Sequence, residues 1–434
     1  MAMAWDFETE PDFQRKLDWA NDFVRSEIEP LDLVLGDPYN KGDEQAMRIV
    51  RPLQQQVKDA KLWACHLEPE LGGEGYGQVK LALLNEILGR SRWAPSVFGC
   101  QAPDSGNAEI LARYGTPEQK ERYLASLLAG EISSCYSMTE PHAGSDPGLF
   151  TTQAVRDGDE WVIRGEKWFS SNARYASFYI VMAVTDAERG TRGGMSMFIV
   201  PADAPGLRII RNVGLGTESD DTGSHAYVSY DQVRVPADHL LGKEGAAFEI
   251  AQARLGGGRI HHAMRTIAQV RRALDMMLER AVSRQVRAGS LASQQLTQQA
   301  IADSWLQVEQ FRLLVLRTAW LIDKHQDYQF VRKDIAAVKA AMPVVYYDVV
   351  RRAMHLHGSL GISNEMPFSS MLVSAEAVAL ADGPTEVHQM TLAKQLLRNV
   401  KPADGLWPSE HLPTRRLAAQ QHLAQRLEHE AADI

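Results

Sequence analysis

Apolar residues change their spacing twice along these 434 residues, and the two changes divide the chain into a helical, a β and a second helical segment. Up to about residue 134 apolar positions recur at three and four, as in Leu81, Leu84, Ile87 and Leu88, with breaks at Gly72-Gly73 and Gly75. Thr116-Pro117-Glu118 reads as a helix N-cap followed by proline at the first helical position. From about 135 to 240 short β-rich runs take over, at 161–163, 178–184, 195–200 and 226–230, separated by glycine, proline and aspartate. After about 241 the helical spacing returns in three long stripes. Met264, Ile267, Val270, Leu274, Met277 and Ala281 form the first, Ile301, Trp305, Val308, Phe311, Val315 and Ile322 the second, and Val331, Ile335, Val338, Val345 and Val349 the third. Stripes of that length bury by packing on one another, so a bundle is expected. The fold class that follows is α+β, with a helical domain over 1–134, a β domain over 135–240, a bundle over 241–404 and an extension over 405–434 that forms a surface helix or a frayed tail.

Two polar segments stand out against this pattern. Ser137-Met-Thr-Glu-Pro-His-Ala-Gly-Ser-Asp146 packs hydroxyls, turn formers and two acids into a stretch with no apolar period. Pro141 and Gly144 punctuate a loop, whose backbone N–H groups are free to meet a ligand, although a surface turn also fits the same residues. Gly165-Glu-Lys-Trp-Phe-Ser-Ser-Asn172 follows a hairpin turn at Asp157-Gly158 and sets two aromatics beside two hydroxyls at a strand end. Together the segments resemble the flavin-binding signature of the acyl-CoA dehydrogenase family, a T-E-P-x-A-G-S-D loop and a G-x-K-x-W-I-T-N strand. The resemblance runs from about residue 10 to about 400. It implies a β-barrel domain between two helical ones, with FAD between the barrel and the C-terminal bundle.

The resemblance also implies roles. Tyr136, Met138 and Thr139 are similar to the loop residues beside the flavin ring, Ser145 to the one facing the CoA moiety, and Phe169 and Ser171 to the aromatic and hydroxyl beside the ring and N5. Arg284 resembles an arginine that reaches FAD phosphates in a neighbouring subunit, while Arg287 stands where phenylalanine is common. His355-Leu-His357-Gly-Ser359-Leu-Gly361 replaces the family's Gln-x-x-Gly-Gly-x-Gly, which puts His355 and Ser359 on the cofactor side, and Val373-Ser-Ala375 replaces Arg-Asp-Ala.

The family's base, usually the glutamate of an E-G-T loop, corresponds to Asp382 in Leu380-Ala-Asp-Gly-Pro-Thr-Glu-Val387, with Gly383 on the substrate side and Pro384 and Glu386 on the cofactor side. Aspartate is one methylene shorter, so loop or substrate must shift by about a bond length to bring the proton within reach of the base. Taken alone, Asp-Gly-Pro is also a turn whose carboxylate caps a backbone N–H. Some family members carry the base on the helix that opens the C-terminal domain, just before an arginine; here that position is Gly258, which takes no proton. Arg259 then lies near the CoA end of the site, unless it is a helix-surface ion pair. Three glycines, Gly256-Gly257-Gly258, cost a helix about 1 kcal/mol each relative to alanine, so the run reads as a helix start or a close approach of ligand to backbone.

The activity implied is FAD-dependent α,β-dehydrogenation of an acyl-CoA to the trans-2-enoyl-CoA, Asp382 taking the α proton and flavin N5 the β hydride, with an electron-transfer flavoprotein as oxidant and a homodimer or homotetramer as the assembly. A flavin oxidase or monooxygenase on a non-CoA substrate, or a low-turnover flavin-containing binding protein, is the alternative. Gly-Arg-Ile-His-His and Ala-Asp-Gly-Pro resemble a subgroup whose relatives can be fused to phosphotransferase-like domains and handle longer or hydroxylated acyl-CoAs; no kinase-like segment occurs in these residues.

Composition excludes other classes. A net charge of −9 and a pI near 5.8 argue against a nucleic-acid partner. Cys65, Cys100 and Cys135 lie far apart, with no disulfide framework or zinc spacing, and a reducing cytoplasm is the expected home. Met1-Ala-Met-Ala-Trp-Asp-Phe-Glu8 lacks a basic, apolar leader, and no run approaches the roughly 20 apolar residues of a membrane span. His261-His262 and His355/His357 do not share a helix face pairwise, so no metal site is expected.

Overall fold

A computed structural model describes residues 7–432 except 217, 220 and 221. The expectation drawn from Met1–Glu8 falls, for 1–6, outside the described residues. Residues 7–389 form one compact unit and the remaining described residues a second.

In the first unit, helices α1 (Pro11–Phe23), α2 (Glu44–Asp59), α3 (Gly77–Leu88) and α4 (Asp104–Tyr114) come first. Thr116 caps the next helical turn as the sequence predicts, and Gln119 completes a reciprocal capping box. Strands β1 (Ser134–Ser137), β2 (Gln153–Asp157), β3 (Glu160–Lys167), β4 (Phe178–Val184), β5 (Met195–Pro201), β6 (Leu207–Val213) and β7 (His225–Pro236) follow and join into a seven-stranded sheet. Helices α5 (Ala247–Ser283), α6 (Gln295–His325), α7 (Arg332–His357) and α8 (Phe368–Leu380) then pack as the C-terminal helical domain. Helix α9 (Thr385–Leu397) follows the Asp382 turn, and α10 (Leu412–Ala432) forms in the extension, so the helix alternative holds there.

The continuous apolar run of β4 is explained by burial on both faces. Phe178, Ile180 and Met182 point into a core shared with α4 and with Met195, Met197 and Ile199 of β5; Tyr179, Val181 and Ala183 point into the sheet's own interior with Trp161, Val228 and Tyr230. Strand β1 stands at one end of the strand order and runs parallel to β4, which fixes the start of the polar segment, Ser137, opposite Val181. The β2–β3 hairpin turns at Gly158, whose φ of 63° suits glycine. Strands β1, β2 and β6 are absent from the apolar reading because polar and charged residues interrupt them, and Ser137 proves to be the last residue of β1.

The three predicted stripes lie on α5, α6 and α7, and together with Leu81, Leu84 and Leu88 they build one core common to the N- and C-terminal helices. Two expectations are corrected. Trp305 is 55% exposed, because it falls on the solvent edge of the α6 stripe while Val308, Phe311 and Val315 carry the burial. The Gly256–Gly258 run is not a helix start: it lies inside the 37-residue α5, which begins at Ala247. A Cβ at these positions would meet the Tyr328 ring at 3.2 Å, Glu109 Oε2 at 3.0 Å and Asp382 Oδ2 at 2.8 Å respectively. Close side-chain approach, not helix initiation, accounts for the glycines.

Candidate active site

The two polar segments meet through a buried ion pair. Lys167 Nζ, at the end of β3, donates to Glu140 Oε1 at 2.9 Å and to the Met138 carbonyl at 2.7 Å. The Glu140 carboxylate also accepts the Thr151 and Thr152 backbone N–H groups at 2.7 and 2.9 Å and the Thr151 hydroxyl at 2.9 Å. Burial alone would raise this carboxyl; Lys167 and the threonine donors outweigh it and hold Glu140 below its ordinary range. Burial pushes Lys167 down to about 8 against the pull of Glu140. The acid of the Thr-Glu-Pro segment therefore organises the loop. Trp168 N–H to the Thr139 carbonyl (2.8 Å), Ser137 Oγ to Ser170 Oγ (2.9 Å) and the Tyr230 hydroxyl to Ser137 Oγ (2.8 Å) complete the join.

On the outer side of this join the chain presents an aromatic. Phe169 has a φ of 57° and Asn172 one of 68°, left-handed conformations that cost non-glycine residues about 1–2 kcal/mol. The Phe169 ring is 38% exposed and stacks on His225 with centroids 4.4 Å apart. His225 Nδ1 is 2.9 Å from Ser171 Oγ, and burial pushes the imidazole down to about 4, so the ring is neutral at ordinary pH. Tyr136 pairs across to Ser171 as an isolated bridge, and its ring lies 3.8 Å from the Arg254 guanidinium of α5. A strained, exposed aromatic flanked by a hydroxyl and by Tyr136, Met138 and Thr139 fits the flat ring of a flavin, with an apolar face and a hydrogen-bonding edge.

Asp382 lies in the turn between α8 and α9, with a φ of 56° followed by Gly383 at 100°. Its carbonyl accepts Arg259 Nε at 2.9 Å and faces His388 Nε2 at 3.3 Å. Its carboxylate accepts no hydrogen bond from another described residue, so it does not cap the turn; the side chain is 15% exposed, with His262 Nε2 3.9 Å from Oδ2. The space a Gly258 side chain would need is taken by that carboxylate. The two positions that the resemblance offers for a base, 258 and 382, thus converge on one point, and glycine at 258 leaves the room that the Asp382 carboxylate fills. Burial pushes the Tyr136 hydroxyl up to about 12, opposed by Arg254 and reinforced by the charge of Asp382, so Asp382 is felt at the loop.

The other expected residues are placed as follows. Arg259 is half-buried and clamps Asp382, which replaces the ion-pair alternative. Ser145 is exposed at the loop tip, and Gly383, Pro384 and Glu386 stay beside Asp382 in the chain, Glu386 exposed. Arg284 ends α5, 25 residues past Arg259, about 37 Å along a helix rising 1.5 Å per residue, so one chain does not bring it to Asp382. His355 and Ser359 are exposed at the end of α7 and just beyond it, whereas His357 is buried against Phe368. Among the described residues no cluster could hold a metal ion, and no helix is long and apolar enough to cross a membrane. His225, Tyr230, Arg254, His262 and His388 are contacts that spacing did not reveal; Glu140 and Lys167 stood inside the quoted motifs, and their presence there was the available signal.

The fold and this constellation define a flavin-type acyl-CoA oxidoreductase scaffold, and comparison with known proteins gives the family. Models for the N-terminal, middle and C-terminal domains of acyl-CoA dehydrogenase match residues 11–131, 135–233 and 245–397. The chain belongs to the acyl-CoA dehydrogenase family. It is 40% identical over 363 residues to a probable acyl-CoA dehydrogenase of Mycobacterium tuberculosis, covering 83% of this chain and 88% of that protein. A solved structure from Mycobacterium abscessus, assigned to the same family, superposes with a TM-score of 0.83 at 36% identity over 90% of this chain and 99% of that one. A glutaryl-CoA dehydrogenase from Mycobacterium smegmatis, in complex with FADH2, shares the fold with a TM-score of 0.75 at 23% identity over 91% of this chain and 97% of that one. The chain spans about half or less of several animal relatives that it matches, acyl-CoA dehydrogenase family members 10 and 11.

Proposed function

We propose that the chain oxidises an acyl-CoA thioester between its α and β carbons to the trans-2-enoyl-CoA, with Asp382 as the base. The observation that carries this reading is the carboxylate of Asp382, which accepts no hydrogen bond from another described residue and is seated over Gly258 of α5. FAD is the cofactor: when bound it supplies the two-electron acceptor for the β hydrogen. Tyr136, Met138, Thr139, Phe169 and Ser171 hold the ring, and Pro384 and Glu386 flank it. Arg284, His355 and Ser359 serve the phosphate and adenine end in a neighbouring subunit of a homodimer or homotetramer. Ser145, Arg259 and Gly383 lie along the CoA. Asp382 takes the α proton and is left as the neutral acid, and loss of the β hydrogen with its electron pair completes the double bond. An electron-transfer flavoprotein is the physiological oxidant, the reaction serves fatty-acid β-oxidation, and the cytoplasm is its place.

Purified protein is expected to be yellow and to bleach anaerobically with an acyl-CoA. A screen across chain lengths, including hydroxylated acyl groups, names the substrate. Oxygen uptake without an added acceptor marks a flavin oxidase instead, and a tight acyl-CoA complex without bleaching marks a binding protein.

A further inference from the structure

Asp382 is fixed at its backbone and loose at its tip. Arg259 and His388 hold the carbonyl, and the left-handed turn sets the direction of the side chain. Among the described residues, nothing hydrogen-bonded to the carboxylate decides which oxygen faces the substrate. We propose that His262 is the positioning residue for this carboxylate: its Nε2–H engages Oδ2 and leaves Oδ1 to receive the α proton. The proposal rests on the reading of Asp382 as the base.

Geometry singles out His262. It follows Gly258 by four residues on α5, so the two share a face of the helix, and its Nε2 is 3.9 Å from Oδ2. Hydrogen bonds to catalytic groups are often long in the free enzyme and tighten when substrate excludes water. The other cationic or imidazole groups that face this corner are committed elsewhere. Arg254 gives Nε to Asn107 Oδ1 at 2.9 Å, Arg265 gives a guanidinium N–H to Asn85 Oδ1 at 3.3 Å, and His261 Nε2 meets Gln78 Oε1 at 3.2 Å. Lys339, on α7, gives Nζ to the Val378 carbonyl. His262 alone among them has ring nitrogens that make no hydrogen bond to another described residue. Burial, then Arg265, push its imidazole down to about 4, with Lys339 and Arg254 adding to this and only Asp382 opposing it. The ring is therefore neutral at ordinary pH, with an N–H to give and no charge to neutralise the base.

The test is stopped-flow flavin reduction by an acyl-CoA that the parent holoenzyme oxidises, measured across pH for His262→Ala and His262→Gln. A carboxylate misplaced by about 1 Å costs up to about 100-fold in rate. The alanine variant is expected to lose about 10- to 100-fold in reduction rate, to change KM by less than about threefold, and to move its acid limb to higher pH, since a carboxylate without its donor is the stronger base. The glutamine variant, which keeps an N–H, returns the limb and most of the rate. Should the alanine variant not fold, His262→Leu fills the ring's volume without a donor and takes its place. An acid limb that stays at the parent's pH in the donor-less variant, or a glutamine variant no better than it, overturns the proposal. Asp382→Asn, run in parallel, separates the two readings: reduction at the parent rate removes Asp382 as base, whereas a slow Asp382→Asn with an unmoved His262→Ala limb leaves the base and removes only the positioning role.

Discussion

Gly258 and Asp382 occupy one site from two directions: a Cβ on the first would stand 2.8 Å from Oδ2 of the second, 124 positions later in the chain. The glycine is therefore a requirement of the Asp382 carboxylate's position and a liability to the helix. Gly258→Ala is expected to leave thermal stability unchanged or raise it by up to about 1 kcal/mol through helix propensity. It should also cut the flavin-reduction rate by about 10- to 100-fold by displacing the carboxylate. Denaturant unfolding and stopped-flow bleaching on the same preparation read both; a variant with parental activity means that the carboxylate has another place to work from.

Removing the carboxylate tests the base directly. Asp382→Asn should slow reduction by about 100- to 10,000-fold, the usual contribution of a positioned general base, with FAD content unchanged.

Because the two positions converge, the base should be movable. Asp382→Gly combined with Gly258→Glu is expected to recover at least about tenfold over Asp382→Gly alone. No recovery in anaerobic bleaching would show that direction of approach, and not place, decides the chemistry.

Glu140 and Lys167 are 4% and 0% exposed at their side chains, so breaking the pair leaves a charge without a partner. Glu140→Gln should cost about 3–5 kcal/mol of stability in urea unfolding. It should also loosen flavin retention on gel filtration, since Lys167 anchors the Met138 carbonyl. With its folded pKa depressed, Glu140 contributes stability that is present above the unfolded carboxyl value and is lost as pH falls through the folded one.

Histidines set a second acid response. Burial pushes His66, His225, His262 and His388 down to about 4, and His261 well below its ordinary value. The unfolded chain binds protons to these rings from about pH 6.5 downward while the folded chain does not. Stability should therefore begin to fall below about pH 6.5, ahead of the carboxylate range. A melting temperature constant from pH 7 to 5 would contradict this.

Much of the fold was legible because burial imposes periodicity. The stripes of α5 and α7 and the doubly buried β4 are written in apolar residues, and Thr116 announces its own cap. Strands β2 and β6 were not, since charged and polar residues break their apolar ones and Val155 and Ile210 are themselves exposed. In the candidate site, Asp382 and the Phe169–Ser171 segment were singled out through motif spacing. His225 and His262 were not, because a ring that packs on Phe169 from 56 positions away, or faces a carboxylate 120 positions on, leaves no local period. The glycine run misled for a related reason: propensity counts the cost to the helix, and only the fold shows which side chains occupy the missing volume.

Helix α5 also acts as a ruler. Arg254 beside Tyr136, and Gly258, Arg259 and His262 at Asp382, are graduations on one continuous helix, and Arg284 follows its last residue. Inserting or deleting a single residue between 263 and 283 would shift Arg284 by about 1.5 Å along the axis and turn it by about 100° without moving Asp382. If Arg284 serves the cofactor as proposed, substitutions in that interval should be far better tolerated than any change in residue number.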